Sequence, residues 1–138
     1  MFADIKRAPR EIERRIAAID GVAEAETTVF DVTLDMAEVA EPIVGRMIGL
    51  PERGARRLDQ LVIRRGRAPE RDAPGEVVVS EGFANARGLG PGHSVRALIN
   101  GREQTLHIAG VGLSPDYIYA SRGGAFPDDR NFGVFWIA

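Results

Sequence analysis

The two histidines, His93 and His107, are the only imidazoles that could serve acid–base or metal chemistry. The Asn-Gly pair at residues 100–101 predicts a hairpin in which His93 opposes Ile108, so the two imidazoles should point to opposite faces. A metal ion shared by both is therefore not expected. Three aspartates also lack the alternating spacing of a calcium loop, and we assign them to turns: Asp116, Asp128 and Asp129.

The serines and the glycine run fit structural roles better than catalytic ones. Ser80 and Ser114 lie outside a G-x-S-x-G context, and Ser80 is placed to cap a helix. The Gly-x-Gly-x-Gly run at 88–92 follows a predicted helix, so it cannot present phosphate to a helix N-terminus. We predict no catalytic, cofactor-binding or metal-binding residue, and a hydrolase is the hypothesis that fits worst.

An arginine cluster is the first candidate contact surface. Its members are Arg64, Arg65, Arg67 and Arg71. They could contact an anionic lipid or a partner, or they could belong to a solvated loop that Glu70 and Asp72 balance. The first interpretation makes Arg64, Arg65 and Arg67 site candidates.

Three aromatic residues form the second candidate surface: Tyr117, Tyr119 and Trp136. They could form a platform for a partner or a lipid. They could equally be core anchors whose polar atoms are hydrogen-bonded. Both interpretations stay open at this point.

Composition limits the class of protein. The chain has 138 residues, 44% of them apolar and 28% charged, with 16 glycines and 8 prolines, which is typical of a turn-rich globular domain. A net charge of −2 argues against a nucleic-acid binder. There is no cysteine, and no apolar run approaches the length of a membrane span or a signal peptide. The abrupt start and the apolar end, GVFWIA, are what an excised fragment would show.

The first third of the chain predicts one helix and two strands. Pro9–Ile19 is an amphipathic helix that Gly21 ends, with isoleucines on one stripe. Val22–Leu34 is a strand with a bulge near residues 29–30, and Ile43–Leu50 is a second strand whose glycines, 45 and 49, suggest close backbone approach. A seam between two subdomains is expected at residues 51–57.

The stretch Gly75–Tyr119 organises the rest. A short strand or turn at Leu58–Arg64 precedes it, and it opens with the β-branched run Val77-Val78-Val79. A short helix follows that ends at Gly88, and a Gly-Pro-Gly turn leads into the strand Ser94–Ile99. The hairpin register should bury Val95, Leu106 and Ile108 on one face. A last strand, Gly133–Ile137, should close the sheet.

These segments resemble, over essentially the whole chain, the MacB-like periplasmic core domain of MacB/FtsX-type ABC transporter permeases. The most specific motifs are GEVVVSEGFANARGLGPGHSVRA with a preceding Gly-Arg, LHIAGVGLSP, and DYIYA followed by FPDDRNFGVFWI. PREIERRIAAIDGVAEAET and GRMIGLPE extend the likeness to the first third.

The resemblance implies an α+β fold. A porter-like α/β subdomain would comprise residues 1–52 and 120–138, and a β-rich subdomain with one short helix and a β-hairpin would comprise 53–119. The family also implies a domain inserted between transmembrane helices of a permease, on the periplasmic face of the bacterial inner membrane.

The expected function is non-catalytic: coupling the motion of a cytoplasmic ATPase subunit to export or extraction of a lipid, lipoprotein, peptide or drug. A second permease subunit is an expected partner, as is a periplasmic partner or a lipid-type substrate, and no cofactor or nucleic acid is expected. The alternative is a stand-alone extracytoplasmic ligand-binding or sensor module, with Tyr117, Tyr119 and Trp136 as its ligand surface.

Overall fold

The computed structural model describes residues 11–22, 29–36, 40–50, 61–117 and 128–138. Within these residues strands account for 49% and helices for 14%. The elements in chain order are α1 (Glu11–Ala17), β1 (Val29–Asp35), β2 (Ile43–Gly49), β3 (Val62–Gly66), β4 (Glu76–Ser80), α2 (Glu81–Arg87), β5 (Ser94–Ile99), β6 (Arg102–Leu113), a 3-10 turn (Pro115–Tyr117) and β7 (Phe132–Ile137).

Six of the strands close into a barrel. The sheet order is β3-β6-β4-β7-β2-β1-β5, and β5 pairs back to β6, so that every strand except β3 belongs to the closed ring. Closure removes the open edges that a flat sheet of these strands would present. The strand β3 lies outside the ring and pairs with the second half of β6.

The long strand β6 makes this closure geometrically feasible. Its first half pairs antiparallel with β5 from Arg102 to His107, and its second half pairs antiparallel with β3 from Gly110 to Leu113. On its other side β4 pairs with it in parallel. One strand of 12 residues thereby joins three neighbours.

The barrel interior holds the main apolar core. In β5 the buried and exposed residues alternate strictly, so Val95, Ala97 and Ile99 point inward. Phe83 of α2 joins this core and packs edge-on against Phe135, with ring centroids 5.8 Å apart. Each fully buried large side chain of this kind contributes about 1.5–3 kcal/mol of burial free energy.

A second apolar cluster lies on the outer face of β2, β7 and β4. Its buried members alternate with the interior residues along the same strands: Ile48, Val78, Phe132, Val134 and Trp136. Leu61, Ile63 and Tyr117 pack against it from outside the ring. These central strands are therefore apolar on both faces, which explains their nearly continuous hydrophobic sequence.

The predicted α+β, porter-like fold is wrong. The last strand, β7, pairs with β2 of the first third on one side and with β4 on the other. The strands of the first third therefore belong to the closed ring and not to a separate α/β layer. The helix α1 is present, but Ile19, expected on its apolar stripe, is 57% exposed. The subdomain seam at 51–57 lies outside the described residues, as does most of the predicted strand before Val29.

Several local predictions are confirmed. The hairpin has the predicted register, with Val95 opposite Leu106 and Ile99 opposite Arg102, and it buries the expected face. The helix α2 ends at Gly88 in the left-handed region, and Leu89 N–H donates to the Ala84 carbonyl as in a Schellman motif.

Three local expectations are not met. Ser80 occupies the N-cap position, but its hydroxyl makes no capping bond and instead accepts the Val134 N–H at 3.2 Å, which joins β4 to β7. Pairing of β1 with β2 runs without a register shift from Val29 to Leu34, so no bulge interrupts that span. Close approach is seen at Gly45 but not at Gly49.

Candidate functional site

A tight turn at Gly90–His93 forms one wall of the candidate site. The His93 N–H donates to the Gly90 carbonyl at 3.1 Å, and Gly92 has a φ of 92°. Proline at the second position and a positive φ at the third are the marks of a type II turn, for which glycine is suited. The His93 ring closes the turn a second time, because its Nδ1 accepts the Gly90 N–H at 3.0 Å.

A row of polar side chains crosses three strands beside this turn. His107 of β6 is the register partner of Glu76 in β4 and of Ser94 in β5. Register partners project from the same face of a sheet, here the outer face, because their strand neighbours Val77, Val95 and Leu106 point inward. The Ser94 hydroxyl and His107 Nδ1 are 2.9 Å apart and hydrogen-bonded.

The Arg67–Glu76 ion pair lies at the end of this row. Arg67 Nη1 donates to Glu76 Oε2 at 2.7 Å and Nη2 donates to Oε1 at 2.5 Å, which is bidentate geometry. The Glu70 N–H also donates to Oε2. The hydrogen bonds from Arg67 and from the Glu70 backbone lower the pKa of Glu76 to about 2.

Together these groups border a cavity of about 370 Å³. That volume lies in the range of small-molecule sites. Its polar border consists of the ion pair and the two histidines, and its apolar border comes from the turn and from β6: Pro91, Gly92, Ile108 and Ala109.

Both histidines border this one cavity, although strand parity had predicted opposite faces. His93 precedes the first residue of β5 and belongs to the turn, so the alternation of the strand does not govern its side chain. Across the described ranges, no group of three or more His, Asp or Glu side chains is arranged to hold a metal ion.

The predicted arginine surface is partly neutralised by nearby side chains. A register shift between Ile63 and Arg65 bends β3. Arg64 Nε lies 3.6 Å from Glu81, and Arg65 donates to Asn85 at 2.8 Å, so both reach residues one turn apart on α2. Arg67 pairs with Glu76, and its Nη1 also lies 3.4 Å from Glu70, one of the two acids expected to balance the cluster.

The predicted aromatic surface is partly buried in the apolar core. Trp136 is fully buried and meets Tyr117 edge-on, with centroids 6.3 Å apart. The expectation that its polar atom is bonded is not met, since among the described residues no acceptor lies within reach of Trp136 Nε1. Tyr117 is half-buried, and Tyr119 lies outside the described residues.

No protein-family model matches the chain, and no curated protein matches it significantly. Within the described part of the chain, no helix is both long enough and apolar enough to cross a membrane.

Sequence reasoning missed the cavity, but one signal for it was present. The Asn100-Gly101 register, extended by one pair beyond Val95–Leu106, places Ser94 opposite His107. Nothing local predicted the partnership of Arg67 with Glu76, because that contact depends on how the loop at 67–75 returns to the sheet.

Proposed function

We propose that this chain is a non-catalytic extracytoplasmic domain of a MacB/FtsX-type ABC transporter permease. It would couple ATP-driven motion of a cytoplasmic ATPase subunit to export or extraction of a lipid, lipoprotein, peptide or drug. The resemblance of the motifs GEVVVSEGFANARGLGPGHSVRA, LHIAGVGLSP and FPDDRNFGVFWI to that family carries the proposal. A second permease subunit and a periplasmic partner are the partners it implies.

The bracing of α2 supports a mechanical role. Arg64 and Arg65 hold one face of α2 from β3, while Arg87 at its end donates to the Arg130 carbonyl at 2.8 and 2.5 Å. The helix is thus joined by contacts of charged side chains to β3, outside the ring, and to the turn before β7. Such a helix moves with the barrel as one body, which is what transmission of a displacement requires.

The native reading frame and its products test this proposal. We expect membrane-spanning segments on both sides of these residues, and an ATPase that co-purifies with the full-length protein from detergent-solubilised membranes. Binding of a non-hydrolysable ATP analogue to that complex should change the protease sensitivity of this domain. A native protein that consists of these residues alone, without an associated ATPase, would refute the proposal.

The second candidate function is a stand-alone extracytoplasmic ligand-binding or sensor module. Burial of Trp136 weakens the aromatic platform first suggested for it, since the ring has no solvent-accessible face. The cavity beside Arg67, Glu76 and the histidines is the observation that favours this candidate. The same native protein, if found without flanking spans, would favour it over the transporter domain.

A further inference from the structure

We infer that the cavity bordered by Arg67, Glu76, His93 and His107 binds a small anion through a single carboxylate or phosphate group. The inference holds for either proposed function, because it depends on the chemistry of the cavity and not on what flanks the chain. Some hydrogen-bonding groups on the cavity border already have partners, and others are open to a ligand.

Among the residues that the structure describes, Glu76 is the one carboxylate on the cavity border, and its oxygens already have partners. Glu76 Oε1 accepts from Arg67, and Oε2 accepts from both Arg67 and the Glu70 N–H. A cationic ligand would have to compete with a bidentate guanidinium for these oxygens. The ion pair therefore disfavours a bound cation.

His93 offers a donor of fixed identity. Its Nδ1 accepts the Gly90 N–H, so in the neutral ring the proton must be on Nε2. That tautomer presents an N–H to a ligand and has no free lone pair for a metal ion. Because the turn at Gly90–His93 fixes this tautomer, His93 favours a ligand that carries a hydrogen-bond acceptor.

His107 supplies the second imidazole, and Ser94 holds it through Nδ1 at 2.9 Å. Its Cδ2 edge lies beside Gly75, 3.9 Å from where a Cβ there would be, which leaves the tip of the ring for a ligand. His107 lies on the border of the same cavity as Arg67. A Ser94 hydroxyl that donates to Nδ1 leaves the ring proton on Nε2, where it can donate to a bound anion.

Arg67 retains donor capacity for the same ligand. Of its five N–H groups, three are used, by the two Glu76 oxygens and by the Ala68 carbonyl. Its side chain is 50% exposed, so the remaining N–H groups can reach a bound anion. Donors from three residues around one cavity are what an anion site needs.

The test is an NMR titration of the imidazole resonances with sodium phosphate and with sodium acetate at constant ionic strength. We expect saturable shifts confined to His93, His107 and the neighbouring turn, with a Kd on the order of 1 mM. The probe that binds more tightly, phosphate or acetate, shows whether the site prefers a phosphate or a carboxylate group.

Three variants make the test specific. His93→Phe and His107→Phe keep a ring but remove the donor, and each should weaken binding about tenfold or more. Arg102→Gln removes a positive charge from the hairpin, away from the cavity, and should leave binding unchanged. Backbone amide spectra check that each variant is folded.

Two results would overturn the inference. One is a set of shifts spread over the cationic surface that responds to Arg102→Gln and not to His93→Phe, which would mean diffuse attraction. The other is broadening of both imidazoles by Zn²⁺ with no saturable response to either anion.

Discussion

At the scale of single residues, Glu76 is the group whose environment changes its chemistry most. The pKa of its carboxyl falls from an ordinary 4.5 to about 2, because Arg67 and the Glu70 N–H bind the ionised form. A lowered folded-state pKa stabilises the fold fully above the unfolded-state value, and this contribution is lost as pH falls.

We therefore predict how Glu76→Gln changes stability with pH. The wild type should be the more stable protein at pH 7, and the difference in unfolding free energy should narrow as pH falls from about 4.5 to about 2. Urea denaturation of both proteins at several pH values measures this difference in unfolding free energy. Arg67→Gln should give the same profile, since it removes the other half of the pair. A difference that stays constant down to pH 2 would contradict the assignment.

Among the described glycines with a positive φ, Gly66 has the least room for a side chain. Its φ is 72°, and a Cβ there would lie 2.3 Å from the Ala109 carbonyl oxygen and 2.7 Å from Pro91. We predict that Gly66→Ala destabilises the protein by about 2 kcal/mol or more, from both the left-handed backbone and the overlap.

Gly49→Ala is the matched control for that change. Gly49 also lies on a strand, but nothing is within 4 Å of its would-be Cβ, and its φ is not positive. Its substitution should change stability by no more than about 1 kcal/mol. Thermal denaturation measures the loss of stability in both variants. Equal losses of stability would contradict the explanation that backbone conformation and overlap make Gly66 sensitive.

At the scale of elements, the bracing of α2 gives a prediction about local stability. Arg87→Ala removes the contacts to the Arg130 carbonyl, and a bond to a charged donor is worth about 1.5–3 kcal/mol. Amide hydrogen exchange should accelerate in α2 and much less in β5. Arg96→Ala, which breaks an exposed pair with Asp35, is the control and should leave α2 protection unchanged.

The elements that sequence predicted well are those with local causes. The Asn100-Gly101 turn fixes the hairpin register, and Gly88 ends α2, because both depend on the backbone preferences of adjacent residues. Barrel closure could not be predicted the same way, since the pairing of Val44 with Phe132 joins residues far apart in sequence. An apolar strand does not reveal which strand lies beside it. The candidate site could not be predicted for the same reason, because Arg67 and Glu76 come into contact only once the sheet has formed.

At the scale of the whole molecule, the barrel predicts cooperative unfolding. Each predicted subdomain supplies three strands of one closed ring, in which β7 pairs with β2 on one side and with β4 on the other. Fluorescence of Trp136, the single tryptophan, and far-UV circular dichroism should therefore report one coincident transition. Two separated transitions would instead support independently folding subdomains at residues 1–52 with 120–138 and at 53–119.

The position of β7 also has a consequence for synthesis on the ribosome. The strand that fills the gap between β2 and β4 is the last of the seven to be translated. Until it emerges, both neighbours carry unpaired backbone and the apolar residues Ile48 and Val78 lack their partner Trp136. The ring therefore cannot close before β7 has been translated, and until then the exposed apolar residues favour aggregation of the incomplete chain.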